Sequence, residues 1–210
     1  DETWYRDGAE IVQRATETGA AGILCAAGDA LNAQTIAALP PSVRILATFS
    51  VGTDHIDLAA AKARGIAVAN TPEVLSFATA EIAFTLMLMA ARRAGEGERM
   101  VRAGAWTGWA PTQLMGVTLE GKTLGILGFG RIGRELAQMA RGMRMTIHYR
   151  NRSRVAPELE QGAVYHDNDD SFLGAIDVLS MHIPGGAETR KWLDAARIAK
   201  LKPGAIVVNT

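Results

Sequence analysis

Cysteine is almost absent: Cys25 is the only one in 210 residues, so no intrachain disulfide can form. It sits in the apolar run 23–26 and reads as a buried, inert thiol. Histidine is nearly as scarce, and His55, His148, His166 and His182 fall at spacings that build no metal site with the cysteine or the carboxylates. Charge of either sign is not in excess, since 22 basic residues face 22 acidic ones. That balance removes any whole-chain attraction to nucleic acid or an anionic membrane. Long hydrophobic runs are missing too: the longest, residues 82–91, is too short to span a bilayer and is flanked by Glu81 and by Arg92 and Arg93. With no signal-peptide features at the start, a cytoplasmic protein is expected. Internal repeats and low-complexity tracts are likewise absent. What remains, 48% hydrophobic and 21% charged residues, is globular composition sufficient for one large domain or two small ones.

The apolar residues alternate between short runs and helical spacing. Strands are predicted at 23–26, 44–49 and 66–70 with helical segments between them, which is α/β alternation from the beginning. Asp57 is placed to cap a helix over 58–64, and Gly65 suits the left-handed residue that ends it. Residues 76–100 read as one or two consecutive helices. Within them 82–91 is apolar on nearly every face and needs cover all round, as a connector between domains, part of a subunit interface or a core helix. Past residue 152 come strands at 163–165, 177–182 and 205–209, with helical stretches near 172–173 and 194–200. Counted from Thr123, five strands with crossovers are the make-up of a doubly wound parallel sheet.

The richest stretch is 123–152, TLGILGFGRIGRELAQMARGMRMTIHYRNR. A short buried strand, 123–127, runs into the turn GFGRIG at 128–133, then into helical spacing at Ile132, Leu136 and Met139. Gly128 permits the tight turn, Gly130 lets a pyrophosphate approach the backbone, and Gly133 lets the helix pack close to its strand. Free N–H groups at the helix start face the anion. With a second strand at 145–149, the order strand, loop, helix, strand identifies a dinucleotide site rather than an ordinary turn.

The acid that would grip the ribose hydroxyls of NAD is missing. Tyr149 lies 21 residues after Gly128, where that Asp or Glu is due, and no acid follows until Glu158. Arg150, Asn151, Arg152, Ser153 and Arg154 stand there instead, able to meet a 2′-phosphate by charge and bidentate hydrogen bonds. NADPH is the expected cofactor, with NADH possible; a solvated basic turn is the plainer reading.

Four further segments join the glycine loop in one order: SVGTDHIDLAAAKARGI from Ser50, NTPEVLSFATAEIAFTLMLMAARR from Asn70, GAWTGWAPTQLMGVTLEGKTLGILGFGRIG from Gly104 and SMHIPGGAETRKWLDAARIAKLKPGAIVVNT from Ser180. Together they resemble the D-isomer-specific 2-hydroxyacid dehydrogenases, most closely the NADPH-dependent glyoxylate and hydroxypyruvate reductases. The resemblance implies a Rossmann-type doubly wound sheet plus a smaller flavodoxin-like α/β substrate domain, both incomplete in this segment. Residues 1–72 would be part of the substrate domain, 73–104 connecting and dimerisation helices, and 105–210 part of the dinucleotide-binding domain of a homodimer.

Roles carry over by position. The loop Ser50, Val51 and Gly52 would hold a 2-keto acid's carboxylate with backbone N–H groups, and a small glycine-containing turn can form such a nest. Trp109 would reach a partner's substrate site, although Trp106 or Trp109 can equally fill a core. Gly128, Phe129, Gly130, Arg131, Ile132, Gly133, Tyr149, Arg150, Asn151 and Arg152 would bind the cofactor. Leu75 and Thr79 would lie near the nicotinamide, and Pro184 and Thr210 at the carboxyl edge of the sheet; Thr79 can also simply bond its own helix. His182 does not match the family's catalytic histidine, His55 reads as structural beside the substrate loop, and His148 and His166 have no partner constellation.

The resemblance places the catalytic arginine, glutamate and histidine beyond residue 210, so no catalytic residue is expected in this segment. It also leaves the first strand and helix of the substrate domain missing at the front. The implied activity is reduction of a small 2-keto acid to the D-2-hydroxy acid. Alternatives are the same family with another 2-keto or 2-hydroxy acid or with NAD, and a non-enzymatic dinucleotide sensor like the C-terminal binding protein corepressors.

Overall fold

The computed structural model describes residues 7–186 and 188–210. Its chain divides into two compact units: the first runs to Leu75 and takes in Pro184–Arg190, the second holds Ser76–Ile183 and Lys191–Thr210.

The first unit comprises α1 (Gly8–Thr18), β1 (Gly22–Cys25), α2 (Ala33–Ala38), β2 (Ile45–Thr48), α3 (Leu58–Ala63) and β3 (Ala67–Ala69). Its strands are parallel, in the order β1-β2-β3. Helix ends follow local chemistry. Asp57 accepts from the Ala60 N–H at 2.9 Å as the expected cap, and Gly65 takes the left-handed conformation at φ 66°. Helix α1 was not among the segments expected from the sequence. Asp7 caps it, and Ile11 and Ala15, one turn apart, bury against Leu31, Ile36 and Leu46. The surrounding Glu, Gln, Arg and Thr residues hide that narrow stripe from a composition-based reading. The expected absence of a strand ahead of α1 concerns residues outside those described.

The second unit contains α4 (Ser76–Arg92), α5 (Ala94–Arg102), β4 (Thr123–Leu127), α6 (Arg131–Gly142), β5 (Thr146–Arg150), α7 (Pro157–Glu160), β6 (Val164–His166), α8 (Asp169–Ala175), β7 (Val178–Met181), α9 (Ala195–Ile198) and β8 (Ile206–Asn209). Five parallel strands lie in the order β6-β5-β4-β7-β8, the doubly wound Rossmann-type arrangement. Central strand β4 is an unbroken apolar run because both of its faces are covered. Leu124 and Ile126 pack with Leu136, Ala137 and Ala140 of α6, whereas Leu127 packs with Phe172, Leu173 and Ile176 around α8.

Residues 76–100 resolve into two helices that break at Arg93, whose φ is 54°. The inner face of α4 is built from Ala80, Ala83, Met87 and Ala91, and its small side chains let α6 approach. Cover all round is not found in this chain: Ile82, Leu86 and Met89 remain 49%, 38% and 40% exposed.

Behind β5, a buried polar cluster replaces apolar packing. The Tyr149 hydroxyl donates to Glu160 Oε1 at 2.6 Å, and Arg154 grips both Glu160 oxygens at 2.7 and 2.8 Å. These bonds, Arg154 first, hold the Glu160 carboxyl down at about 2, against an ordinary 4.5. Burial and the Glu160 contact push Tyr149 up to about 12. For Glu160 the folded value lies below the unfolded one. Its contribution to stability is therefore complete above about pH 4.5 and is lost as pH falls toward 2. Replacing Glu160 with Gln should lower Tm near neutral pH, and thermal melts should show the gap to wild type closing as pH drops through that window. A gap independent of pH would contradict this role.

Candidate functional site

The glycine loop hangs between two strand ends. The Gly128 N–H donates to the Arg150 carbonyl at 3.0 Å, and the His182 N–H donates to the Leu127 carbonyl at 2.7 Å. At Gly128 φ is 94°, and a Cβ there would lie 2.7 Å from the carbonyl carbon and oxygen of His182. Gly133 is as constrained, because its Cβ would meet the Gly128 oxygen at 2.5 Å. Gly130, the N-cap of α6, is different: a Cβ there would meet nothing within 4 Å. Two glycines are thus required by packing, and the third borders open space. The first turn of α6, with its outward N–H groups and positive dipole end, opens onto that space and suits a pyrophosphate.

Several residues expected at the cofactor have other duties. Tyr149 is corrected to a core residue: it is 0% exposed, stacked on Phe129 at 4.4 Å between ring centroids, with its hydroxyl engaged by Glu160 and by the Val155 N–H. The alternation of β5 turns it inward together with Ile147. The Phe129 side chain is buried, and its N–H donates to Asn151 Oδ1 at 2.7 Å, so Asn151 braces the loop.

The arginines separate in the same way. Arg154 is committed to Glu160. Arg150 pairs with Asp169 at 3.3 Å, which also holds Arg197 at 2.9 Å, beside an open basin of about 480 Å³ lined by both signs of charge. Arg152 is exposed and forms no hydrogen bond or ion pair among the described residues. Of these three arginines it alone has no side-chain partner among the described residues.

In the first unit, the turn after β2 has all three carbonyls engaged. The Ser50 carbonyl accepts from the Thr71 N–H at 3.0 Å, that of Val51 from Asn70 Nδ2 at 2.8 Å, and that of Gly52 from the Ser50 hydroxyl at 2.7 Å. In trans peptides the N–H points opposite to the carbonyl. The N–H groups of Val51 and Gly52 therefore face away from these partners, and among the described residues they have no acceptor. Two neighbouring amides without protein acceptors are the raw material of an anion nest. Asn70 and Thr71, which hold it open, escaped the sequence reading because their role depends on β3 lying beside β2.

The other expected residues fall on different segments of the chain. Leu75 precedes α4 and Thr79 lies in its first turn. Pro184 and Thr210 are exposed just past β7 and β8, and the Pro184 carbonyl accepts from the Thr189 hydroxyl. Trp109 is 81% exposed and Trp106 is 56% exposed, so neither fills a core.

The histidines show one correction. His148 and His166 do have partners: they bond each other at 2.9 Å, and His166 also reaches Ser171. His182 bonds the Ser180 hydroxyl at 2.8 Å, and burial pushes it down to about 4, so it is neutral near physiological pH and a poor proton donor there. Burial pushes the Cys25 thiol up. Among the described residues no cluster of three or more His, Cys, Asp or Glu could hold a metal, and no helix is long and apolar enough to cross a membrane.

Residues 84–210 match the family model of the D-isomer specific 2-hydroxyacid dehydrogenase NAD binding domain. A glycerate dehydrogenase of Hyphomicrobium methylovorum is 43% identical over 203 residues, which cover 96% of this chain and 62% of that protein. A glyoxylate reductase of Thermococcus litoralis is 45% identical over 176 residues, covering 81% of this chain and 53% of that protein. In structure, the chain is similar to an NADPH-dependent glyoxylate/hydroxypyruvate reductase from Sinorhizobium meliloti solved with NADP and malonate. That likeness has a TM-score of 0.85 at 32% identity and covers 97% of this chain and 61% of the other. This chain thus spans between about half and two thirds of these relatives' lengths. With the glycine loop, the parallel sheet order and these matches in agreement, the chain belongs to the D-isomer specific 2-hydroxyacid dehydrogenase family.

Proposed function

We propose that this chain supplies the dinucleotide loop and the substrate-carboxylate cradle of an NADPH-dependent reductase that converts a small 2-keto acid, of the glyoxylate or hydroxypyruvate type, to the D-2-hydroxy acid. The observation that carries this reading is the turn at Ser50, Val51 and Gly52, whose hydrogen-bonded carbonyls leave two amides for a carboxylate. Relatives named glyoxylate reductase and glycerate dehydrogenase support an enzyme over a dinucleotide sensor. Residues 1–72 are assigned to the substrate domain, 73–104 to the connecting helices and 105–210 to the cofactor domain.

The residues of the glycine loop fit a bound dinucleotide, because Gly130 leaves the approach to the α6 N-terminus open. Bound NADPH supplies the hydride for the carbonyl carbon. The first turn of α6 neutralises the pyrophosphate, and Arg152 meets the 2′-phosphate. Val51 and Gly52 orient the substrate by its carboxylate, which fixes the carbonyl without consuming a side chain. Leu75, Thr79, Pro184 and Thr210 are assigned to cofactor contact and Trp109 to substrate contact across a dimer. No catalytic proton donor or carboxylate-gripping arginine is assigned among residues 1–210. A cytoplasmic homodimer completes the reading, with the exposed Ile82, Leu86 and Met89 of α4 at the interface.

In the intact protein, KM for NADPH should lie below KM for NADH. Arg152→Ala should raise KM for NADPH about tenfold or more, the loss of a charge-assisted contact, and leave KM for NADH unchanged. Equal cofactor preference in wild type, or equal losses with both cofactors in the variant, would remove the arginine argument. Across a panel of 2-keto acids with NADPH, glyoxylate and hydroxypyruvate should give the highest kcat/KM; poor turnover of both would overturn the substrate assignment.

A further inference from the structure

The carboxylate turn is held by a relay of hydrogen bonds whose direction can be worked out from proton counts. A hydroxyl has one proton to give. That of Ser50 goes to the Gly52 carbonyl at 2.7 Å, so in the 2.6 Å contact between Ser50 Oγ and Thr48 Oγ1 the threonine must donate. The Thr48 proton is thereby committed. Its 2.9 Å contact with His55 Nε2 then requires the imidazole N–H as donor. Cys25 lies 4.0 Å from the same nitrogen and also neighbours the Thr48 hydroxyl, but its thiol is directed at the Ala47 carbonyl at 3.5 Å and its sulfur is a weak acceptor beside the Ser50 oxygen, so it does not displace this order. The relay runs from His55 Nε2–H to Thr48, to Ser50, to the carbonyl of Gly52, and Thr48 at its centre is 2% exposed.

The two ends of the turn are unequal. Asn70 and Thr71 hold the peptide planes that carry the Gly52 and Val51 amides. The plane after Gly52 is held by the relay, at the residue with the widest backbone freedom in the turn. Without the relay, glycine is free to rotate its carbonyl toward the place where the other two amides receive an anion, and a carbonyl there repels a carboxylate.

Building on the proposed reductase function, we propose that His55 is a positioning residue for substrate carboxylate binding, acting as an obligatory Nε2–H donor through Thr48 and Ser50. It touches no substrate. Its effect appears in substrate affinity rather than in cofactor affinity or in the chemical step.

The test uses the intact protein with glyoxylate and saturating NADPH. His55→Ala should raise KM for glyoxylate about tenfold, the magnitude of one net hydrogen bond, with kcat and KM for NADPH nearly unchanged. Ser50→Ala should match it, and the double variant should be no worse than either single one, because both cut one relay. His55→Gln, which retains a donor nitrogen, should recover most of the loss. An unchanged KM in His55→Ala, losses that multiply in the double variant, or an equal rise in KM for NADPH would overturn the proposal. Nitrogen-15 NMR of the His55 ring gives a readout independent of turnover: an Nε2–H tautomer supports the relay and an Nδ1–H tautomer refutes it. Should wild type reduce no 2-keto acid, the functional reading fails and the tautomer alone decides the relay.

Discussion

The contact between Gly128 and the backbone of His182 is the constraint on which the cofactor half of the molecule depends. Strand β4 must end there in a left-handed residue without a side chain, because a Cβ would sit 2.7 Å from the His182 carbonyl. Once the chain turns at that point, Gly133 brings α6 down onto β4 and the helix N-terminus lands at the carboxyl edge of the sheet. The anion site follows from this geometry. It needs no charged side chain of its own, since the helix end provides both the donors and the field.

Both cradles use one device: secondary partners occupy groups that would otherwise disturb the site. In the glycine loop, Asn151 takes the Phe129 N–H and the strand ends take those of Gly128 and His182. In the turn after β2, Thr71, Asn70 and Ser50 take three consecutive carbonyls. Charge is distributed on similar terms. Arg154 and Arg150 neutralise Glu160 and Asp169 inside the fold, and Arg152 keeps its guanidinium in solvent. Three arginines that look equivalent in sequence therefore divide into two structural groups and one group open to a ligand.

What could be read in advance followed from local rules. The glycine spacing, the unbroken apolar run of β4, the Asp57 cap and the left-handed Gly65 each depend on a few neighbouring residues, and each is found as expected. Readings that depended on distant partners did not transfer. Tyr149 stood where a ribose contact was due, but its burial is decided by Phe129 twenty residues earlier and Glu160 eleven later. The pairing of His148 with His166 exists only because β5 and β6 are neighbours, and the relay from His55 exists only because the end of β2 packs beside the turn. Helix α4 illustrates the opposite limit. Its apolar surface was plain in the sequence, yet which face would stay uncovered depended on where α6 and β8 lie.

The central claim is that the two cradles serve one dinucleotide and one 2-keto acid. A crystal structure of the intact protein with NADP⁺ and glyoxylate tests it most directly. The account predicts the pyrophosphate at the first turn of α6, the 2′-phosphate on Arg152, and the glyoxylate carboxylate on the N–H groups of Val51 and Gly52. A carboxylate bound elsewhere, with those two amides facing solvent, would contradict it.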